Sequence, residues 1–291
     1  MTEPRNPILR VNDLTKMYGQ GCPRCLQATG PEYGTNICSH CGTVVACAGI
    51  SFDLYVDEIL GVVGESGSGK SSLIRLLHFD DETTSGQMYL TVPPGTSGDS
   101  YDIAYQNTNV FELSPFHKRQ LRNSRMGIVY QNPQMGLRMG VSAGGNVAER
   151  LIAAGWRNIR KMRERTSYLL EKTEIPVQRM DEPPRNFSGG MQQRVQIAKS
   201  LSNSPLVLFF DEVTSGLDLS VQARVLDLIR GLQREFRLSF VVVSHDLGVI
   251  RLLTSRTMVM KYGRVVESGL TDQILEDPCN AYTQLLVSSQ L

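Results

Sequence analysis

The stretch GESGSGKSS, residues 64–72, decides the reading of this chain. Its first eight residues satisfy the pattern G-x-x-x-x-G-K-[S/T] at every specified position. Glycines let the backbone wrap closely, with successive amide N–H groups turned inward as a nest for an oxyanion. EILGVVG (58–64) precedes it and reads as a buried strand; KSSLIRLLHF (70–79) follows and reads as the start of a helix. That strand–loop–helix setting separates a phosphate loop from an ordinary glycine-rich turn, and the helix N-terminus adds partial positive charge. Gly64, Glu65, Ser66, Gly67, Ser68, Gly69, Lys70, Ser71 and Ser72 are therefore assigned to a nucleotide phosphate site. Lys70 is expected to reach the β- and γ-phosphates, and the Ser71 hydroxyl to bind Mg²⁺.

Working outward, short apolar runs alternate with helical periods, the pattern of an α/β protein. ISFDLYV (50–56) alternates as a half-buried strand, whereas LVLFF (206–210) and FVVVS (240–244) are continuous runs suited to central parallel strands. Between the last two, Val221, Val225, Leu228, Ile229 and Leu232 recur at helical spacing. From Asn132 to Phe187 the chain turns charged and helical, most clearly in NVAERLIAAGWRNIRKMRERTSYLLEKTEI (146–175). We read residues 132–187 as a helical subdomain inserted between strands. TMVMKYGRVVESG (257–269) reads as a hairpin turning at Tyr262–Gly263, and TVPPGTSGDS (91–100) as an exposed loop.

A second chemical site closes LVLFFDE (206–212). A carboxylate at the end of so apolar a strand is costly unless a cation or hydrogen bonds compensate it. Mg²⁺ coordination through water would give Asp211 that role, and Glu212, one step on, can polarise an attacking water as general base. Alone the pair would read as an ordinary strand end; beside a phosphate loop it reads as its catalytic complement.

These residues resemble the ATP-binding-cassette (ABC) ATPases, and the resemblance covers nearly the whole chain. Tyr18, ending VNDLTKMY (11–18), stands where the family places an aromatic that stacks on adenine. Gln131 in VYQNP (129–133) matches the Q-loop glutamine, which links Mg²⁺ and the attacking water to the helical subdomain. FSGGMQQR (187–194) matches the signature motif, SGLD (215–218) with Asp218 the D-loop, and His245 in VVVSHD (241–246) the switch histidine. All stand in family order. Met191 replaces the commoner glutamine of the signature, and Val213 the proline usual after the Asp-Glu pair; both spare the phosphate-binding and catalytic side chains. The resemblance implies one ABC ATPase domain over residues 1–291: a P-loop core, an antiparallel β subdomain and the helical insertion. It also implies that Ser188, Gly189 and Gly190 complete the ATP site of a second subunit. A head-to-tail homodimer with two sandwiched ATP molecules follows, released by hydrolysis.

Within the family, GLRMGVSAGGNVAERLIAAG (136–155) resembles the branch serving the carbon–phosphorus lyase system, as do FSGGMQQRVQIAKSL (187–201), LDLSVQARVLDLIRGL (217–232) and VVESGLTDQILEDP (265–278). Its implied partners are soluble phosphonate-cleaving subunits, with a second ABC ATPase as a further candidate; C–P cleavage itself would belong to other subunits. An oligopeptide or dipeptide importer ATPase is the alternative, although that branch usually carries an SLNP-like stretch after the Q-loop. A DNA-repair cassette ranks last. The formal charge of +1 gives no bulk field toward nucleic acid or anionic lipid. The apolar runs SPLVLFF and SFVVVS fall far short of the roughly 18 residues of a membrane span. The opening MTEPRNPILR lacks an apolar signal region. A cytoplasmic protein, bound neither to nucleic acid nor inserted in a membrane, is expected.

One segment stands outside the family pattern. GCPRCLQATGPEYGTNICSHCG (21–42) carries Cys22, Cys25, Cys38 and Cys41 as two Cys-x-x-Cys pairs separated by twelve residues. The spacing suits a tetrahedral structural Zn²⁺ site of four thiolates, with an iron–sulfur cluster or a redox dithiol as alternatives. His40 adjoins Cys41 and is expected to be solvated, while Cys47 and Cys279 are read as small apolar residues. Four thiolates leave no open coordination position, so the loop is expected to be a staple near the adenine side and not the reacting centre.

Overall fold

The computed structural model describes residues 6–92 and 107–289. Of the loop expected at 91–100, all but Thr91 and Val92 lie outside the described residues. The chain divides into two compact bodies: one runs to Lys118 and resumes at Val241, the other comprises Arg119–Phe240.

In the first body, strands β1 (Pro7–Tyr18), β2 (Val44–Tyr55) and β4 (Ser85–Leu90) form an antiparallel sheet in the order β2-β1-β4. The alternation expected in ISFDLYV is present, with Ile50, Phe52 and Leu54 buried. The strand starts six residues earlier, at Val44, because Val45, Ala46 and Cys47 are also buried, and Val44, Val45 and Cys47 pair with the end of β1. Strand β3 (Ile59–Val63) is buried at every position and leads into α1 (Lys70–Leu77). Burial on both faces is why EILGVVG reads as a continuous apolar run and not an alternating one.

Later residues return to this body. Within β7 (Ser239–Ser244) the chain passes back from the second body, and α7 (Leu247–Leu253) follows. β8 (Arg256–Lys261) pairs parallel with β3, and β9 (Arg264–Leu270) antiparallel with β8. The hairpin turns at Tyr262 (φ 46°) and Gly263 (φ 79°). Two successive left-handed residues match the right-handed twist of paired strands, so the expected Tyr-Gly turn is present. Helices α8 (Thr271–Glu276) and α9 (Ala281–Ser288) end the described chain.

In the second body, β5 (Met126–Val129) follows α2 (Pro115–Ser124) and pairs parallel with β6 (Val207–Asp211). Phe209, Phe210 and Phe240 are fully buried, and the rings of Phe210 and Phe240 meet edge to face at 5.0 Å. Residues 132–187 contain no strand. They carry a single turn at Pro133–Gly136, then α3 (Ala143–Ala153) and α4 (Ile159–Lys172). The helical run at 146–175 is thus interrupted. Gly155 takes φ 92°, and the Asn158 side chain then caps α4 by accepting from the Lys161 amide. A left-handed glycine followed by an asparagine cap is a stop-and-restart signal stronger than the surrounding helix formers. Helices α5 (Gly189–Ser200) and α6 (Leu219–Phe236) complete this body.

Candidate functional site

The loop between β3 and α1 is shaped to hold an anion. Gly64, Gly67 and Gly69 have φ of 152°, 79° and 106°. A β-carbon on Gly64 would stand 2.2 Å from the Met260 carbonyl oxygen, and one on Gly69 would stand 2.1 Å from that of Ala46. The backbones of β8 and β2 therefore wall the loop so closely that only glycine fits. Buried Lys70 folds over it, its Nζ donating to the carbonyls of Gly64 at 2.7 Å and Glu65 at 2.8 Å. The Glu65 amide donates to the Tyr282 hydroxyl at 3.1 Å, and the Ser68 carbonyl accepts from the Gly263 amide at 2.9 Å. Glu65, Ser66 and Gly67 are exposed, while Ser71 and Ser72 are half-buried in the first turn of α1. A glycine cradle with a cation folded across it and free space at its rim fits a phosphate chain.

Tyr18 ends β1, partly exposed, and its hydroxyl donates to Asp81 Oδ2 at 2.6 Å. Lys16 bonds Asp81 Oδ1 at 2.7 Å and lies 4.7 Å from the Tyr18 ring centre. The ring is thus held by its polar edge and by a cation on its face. His245 is exposed at the C-terminal end of β7, followed by Asp246, whose carboxylate caps α7 by accepting from the Gly248 and Val249 amides.

In the second body, Gln131 follows β5. Its Nε2 donates to Glu212 Oε2 at 3.2 Å and to Ser215 Oγ at 3.3 Å. Glu212 has φ 48°, a left-handed conformation costing a non-glycine residue roughly 1–3 kcal/mol, and residues so held cluster at functional sites. Asp211, one residue earlier at the end of β6, is buried. Ser188 caps α5, its hydroxyl accepting from the Met191 amide at 3.4 Å, and leaves Gly189 exposed beside it. Gly190 is buried where a β-carbon would stand 2.5 Å from Val221 Cγ1. Asp218 caps α6, accepting from the Val221 amide and the Ser220 hydroxyl, and these bonds hold its carboxyl below its ordinary pKa. Of the two departures from the family pattern, Val213 is buried, and Met191 Sδ accepts from Arg179 Nη1 at 3.5 Å.

The four cysteines of the β1–β2 connection converge. The sulfurs of Cys22, Cys25, Cys38 and Cys41 all lie within 4.8 Å of one another. Each pair closes a tight turn: the Cys25 amide donates to the Cys22 carbonyl at 3.1 Å, and the Gly42 amide to the Cys38 carbonyl at 2.8 Å. Cys25 and Cys38 are buried and Cys41 is exposed. The thiols are electrostatically unlike. The Cys22 amide favours a Cys25 thiolate, but desolvation and the neighbouring sulfurs outweigh it and push Cys25 up to about 12. Hydroxyl and amide donation by Thr43 brings Cys41 down to about 6. Four convergent thiols, one inclined to ionise, are a donor set that fits a single thiophilic cation.

The match to protein families is decisive. Residues 47–215 match the family model described as ABC transporter. The chain belongs to that family. This ABC cassette is 45% identical over 285 residues to the "Putative phosphonates utilization ATP-binding protein PhnK" of Escherichia coli strain K12, covering 98% of both chains. It is 37% identical over 285 residues to the dipeptide transport ATP-binding protein DppF of the same strain, covering 98% of this chain and 77% of that one. Among solved structures, the dimeric MJ0796 cassette superposes with TM-score 0.70 at 26% identity, covering 90% of this chain and 98% of that one. No helix among the described residues is long and apolar enough to cross a membrane.

Two features of the ABC cassette were not read from sequence. Gln193 and Gln196, buried on α5, bond the backbone of Tyr130 immediately before Gln131; their signal was a pair of glutamines on the buried face of a helix. Arg264 donates through Nη2 to the carbonyls of Leu26 at 2.6 Å and Thr29 at 3.4 Å, binding the cysteine loop to the β8–β9 hairpin. Cys47 is a buried apolar residue as expected, whereas Cys279 is exposed, in the turn before α9. His40 is exposed, in keeping with solvation.

Proposed function

We propose that this chain is the ATP-binding and ATP-hydrolysing subunit that drives a conformational change in a carbon–phosphorus lyase assembly of phosphonate catabolism. The observation that carries this reading is the identity of 45% to PhnK, against 37% to DppF over an equal span of this chain. The stretch at 136–155, just past the Q-loop, points the same way, since that surface is where a cassette meets its partners.

In this reading the glycine cradle and Lys70 bind the β- and γ-phosphates, and Tyr18 offers its face to the adenine. Ser71 and Gln131, with Asp211 through water, would hold Mg²⁺, which would supply positive charge against the developing phosphate charge. Glu212, oriented by Gln131, accepts the proton of the attacking water, and His245 steadies the γ-phosphate. Ser188, Gly189, Gly190 and Asp218 act on the nucleotide of a second copy, so two chains sandwich two ATP molecules and part after hydrolysis. The helical subdomain 132–187 transmits that change to soluble lyase subunits in the cytoplasm, and a second ABC ATPase is a further partner. Zn²⁺ held by the four cysteines would be structural, since four thiolates would leave no open position on it.

Affinity purification of the tagged chain from its native lysate tests the assignment. Co-recovery of soluble phosphonate-cleaving subunits is expected. Recovery with membrane permease subunits alone would overturn it in favour of a peptide importer.

A further inference from the structure

The cysteine loop is more than an appendage to the sheet. It occupies the whole connection between Tyr18 and Val44, which pair across β1 and β2. Its two ends therefore enter beside the proposed adenine-stacking ring and beside the segment of β2 that walls the phosphate loop. Val45 and Ala48 of β2 form one apolar cluster with Cys25 and Cys38, with Met17 and Ala28 packed against it.

Two routes lead from this loop to the phosphate loop. In the first, Asn36 Nδ2 lies 3.5 Å from the Gly67 carbonyl oxygen. The second is stronger and runs through Arg264. Its Nη2 donates to Leu26 and Thr29 in the cysteine loop, and its Nε is buried against Gly30, where a β-carbon would approach to 2.7 Å. The preceding residue, Gly263, donates its amide to the Ser68 carbonyl and accepts at its own carbonyl from the Ala48 amide at 2.8 Å. One peptide unit thus joins the guanidinium that grips the cysteine loop to the backbone that braces the phosphate loop.

Apart from its contacts with Arg264 and Asn36, the cysteine loop is ordered by short-range turns and the isolated bridges Gly30–Thr35 and Ile37–Val44. Its apolar cluster is small, Leu26, Tyr33 and Ile37 are exposed, and small modules of this kind fold around their metal. If the cluster loosens, Arg264 loses its carbonyl acceptors while its guanidinium stays half-buried, and a polar group so stranded drives rearrangement of its surroundings. The turn at Gly263 adjoins Arg264 directly in the chain.

We propose that Arg264 is a positioning residue through which metal at Cys22, Cys25, Cys38 and Cys41 holds the phosphate loop in its binding conformation, so that metal and nucleotide bind cooperatively. The proposal rests on the metal and nucleotide assignments above and adds their coupling. Coupling is reciprocal: each ligand strengthens the other by the same factor.

The test uses the full chain, Zn²⁺ and a fluorescent ADP with Mg²⁺, which removes hydrolysis from the readout. Zinc-loaded protein should bind the nucleotide roughly 5- to 150-fold more tightly than chelator-stripped protein, the usual range for coupled sites. Arg264→Met, still carrying one zinc per chain, should bind more weakly than wild type and lose most of its dependence on zinc. A merely structural role would weaken binding equally in both metal states and would overturn the proposal. Should stripping unfold the chain, zinc transfer to a chromophoric chelator is followed on intact protein with and without saturating Mg²⁺–ADP. Nucleotide should retard transfer, and identical transfer overturns the coupling. Zinc that never reaches one per chain sinks the metal assignment beneath it, and absent nucleotide binding sinks the nucleotide assignment. One zinc and firm nucleotide binding without mutual effect sink the coupling alone.

Discussion

Gln196, buried in α5, holds both backbone polar groups of Tyr130: its Oε1 accepts from the Tyr130 amide at 2.7 Å, and its Nε2 donates to the Tyr130 carbonyl at 3.0 Å. The end of β5 cannot continue as sheet here, so a side chain supplies the hydrogen bonds that a strand neighbour would otherwise give. Gln131 follows directly, and its orientation toward Glu212 depends on that anchor. Gln196→Leu keeps the volume but strips the Tyr130 amide of this acceptor, while the carbonyl keeps its bond from Gln193 Nε2 at 3.2 Å. We expect a loss of about 1–3 kcal/mol, the cost of one stranded buried group, read as a lowered denaturation midpoint. Turnover should fall more than nucleotide affinity.

Glu212→Gln retains the side-chain shape and the contact with Gln131 but removes the base. ATP should still bind, with hydrolysis reduced by roughly 10²–10⁴, the usual weight of general-base catalysis. Size-exclusion chromatography with ATP should show an accumulated dimer. Near-normal turnover would reject Glu212 as the base.

Gly69→Ala meets two obstacles at once. Its φ is 106°, and the new methyl would stand 2.1 Å from the Ala46 carbonyl oxygen, a backbone atom that cannot swing aside. Overpacking of this kind costs about 1–3 kcal/mol. The strain falls on the loop that binds phosphate, so nucleotide affinity measured by titration should drop sharply.

Asp81 makes the Tyr18 setting sensitive to acid. Burial works to raise its pKa, but bonds from Lys16, Tyr18 and the Glu82 amide prevail and hold it below its ordinary value. Such a group contributes stability that is fully present above the ordinary carboxylate value and is lost as pH falls through the depressed folded value. Denaturation midpoints of wild type and Asp81→Asn should therefore differ most at neutral pH and converge in acid. The gap should be about 1 kcal/mol or less, since both partners are partly solvated.

Cys38→Ser replaces a buried ligand of the four-sulfur cluster by a hydroxyl. Metal analysis should fall from about one zinc per chain, the content of a filled structural site, to well below it. The same substitution at exposed Cys279 should leave the metal content unchanged. Equal zinc in wild type and Cys38→Ser would exclude these residues as its holders.

The phosphate loop, the acidic strand end, the signature and the two cysteine pairs were legible in the sequence because each is a local pattern. Their spacing along the chain is itself the chemical requirement: four residues between two glycines, two residues between two cysteines. Strand and helix periods were legible for the same reason, and the hairpin at Tyr262–Gly263 was written in its own two turn residues. The break at Gly155 is also local, but the strong helix formers on either side of it mask it within a helical run. What only the tertiary structure decided are the relations between distant residues. Gln196 and Tyr130 stand 66 positions apart, and Arg264 and Leu26 stand 238 apart. No periodicity marks such pairs, because a buried amide or guanidinium takes its partner from whichever backbone group the folded sheet leaves unpaired. By itself the sequence determined which chemistry this chain carries. Folding decided which residues hold that chemistry in place, since burial turns an ordinary polar side chain into one that must find a partner.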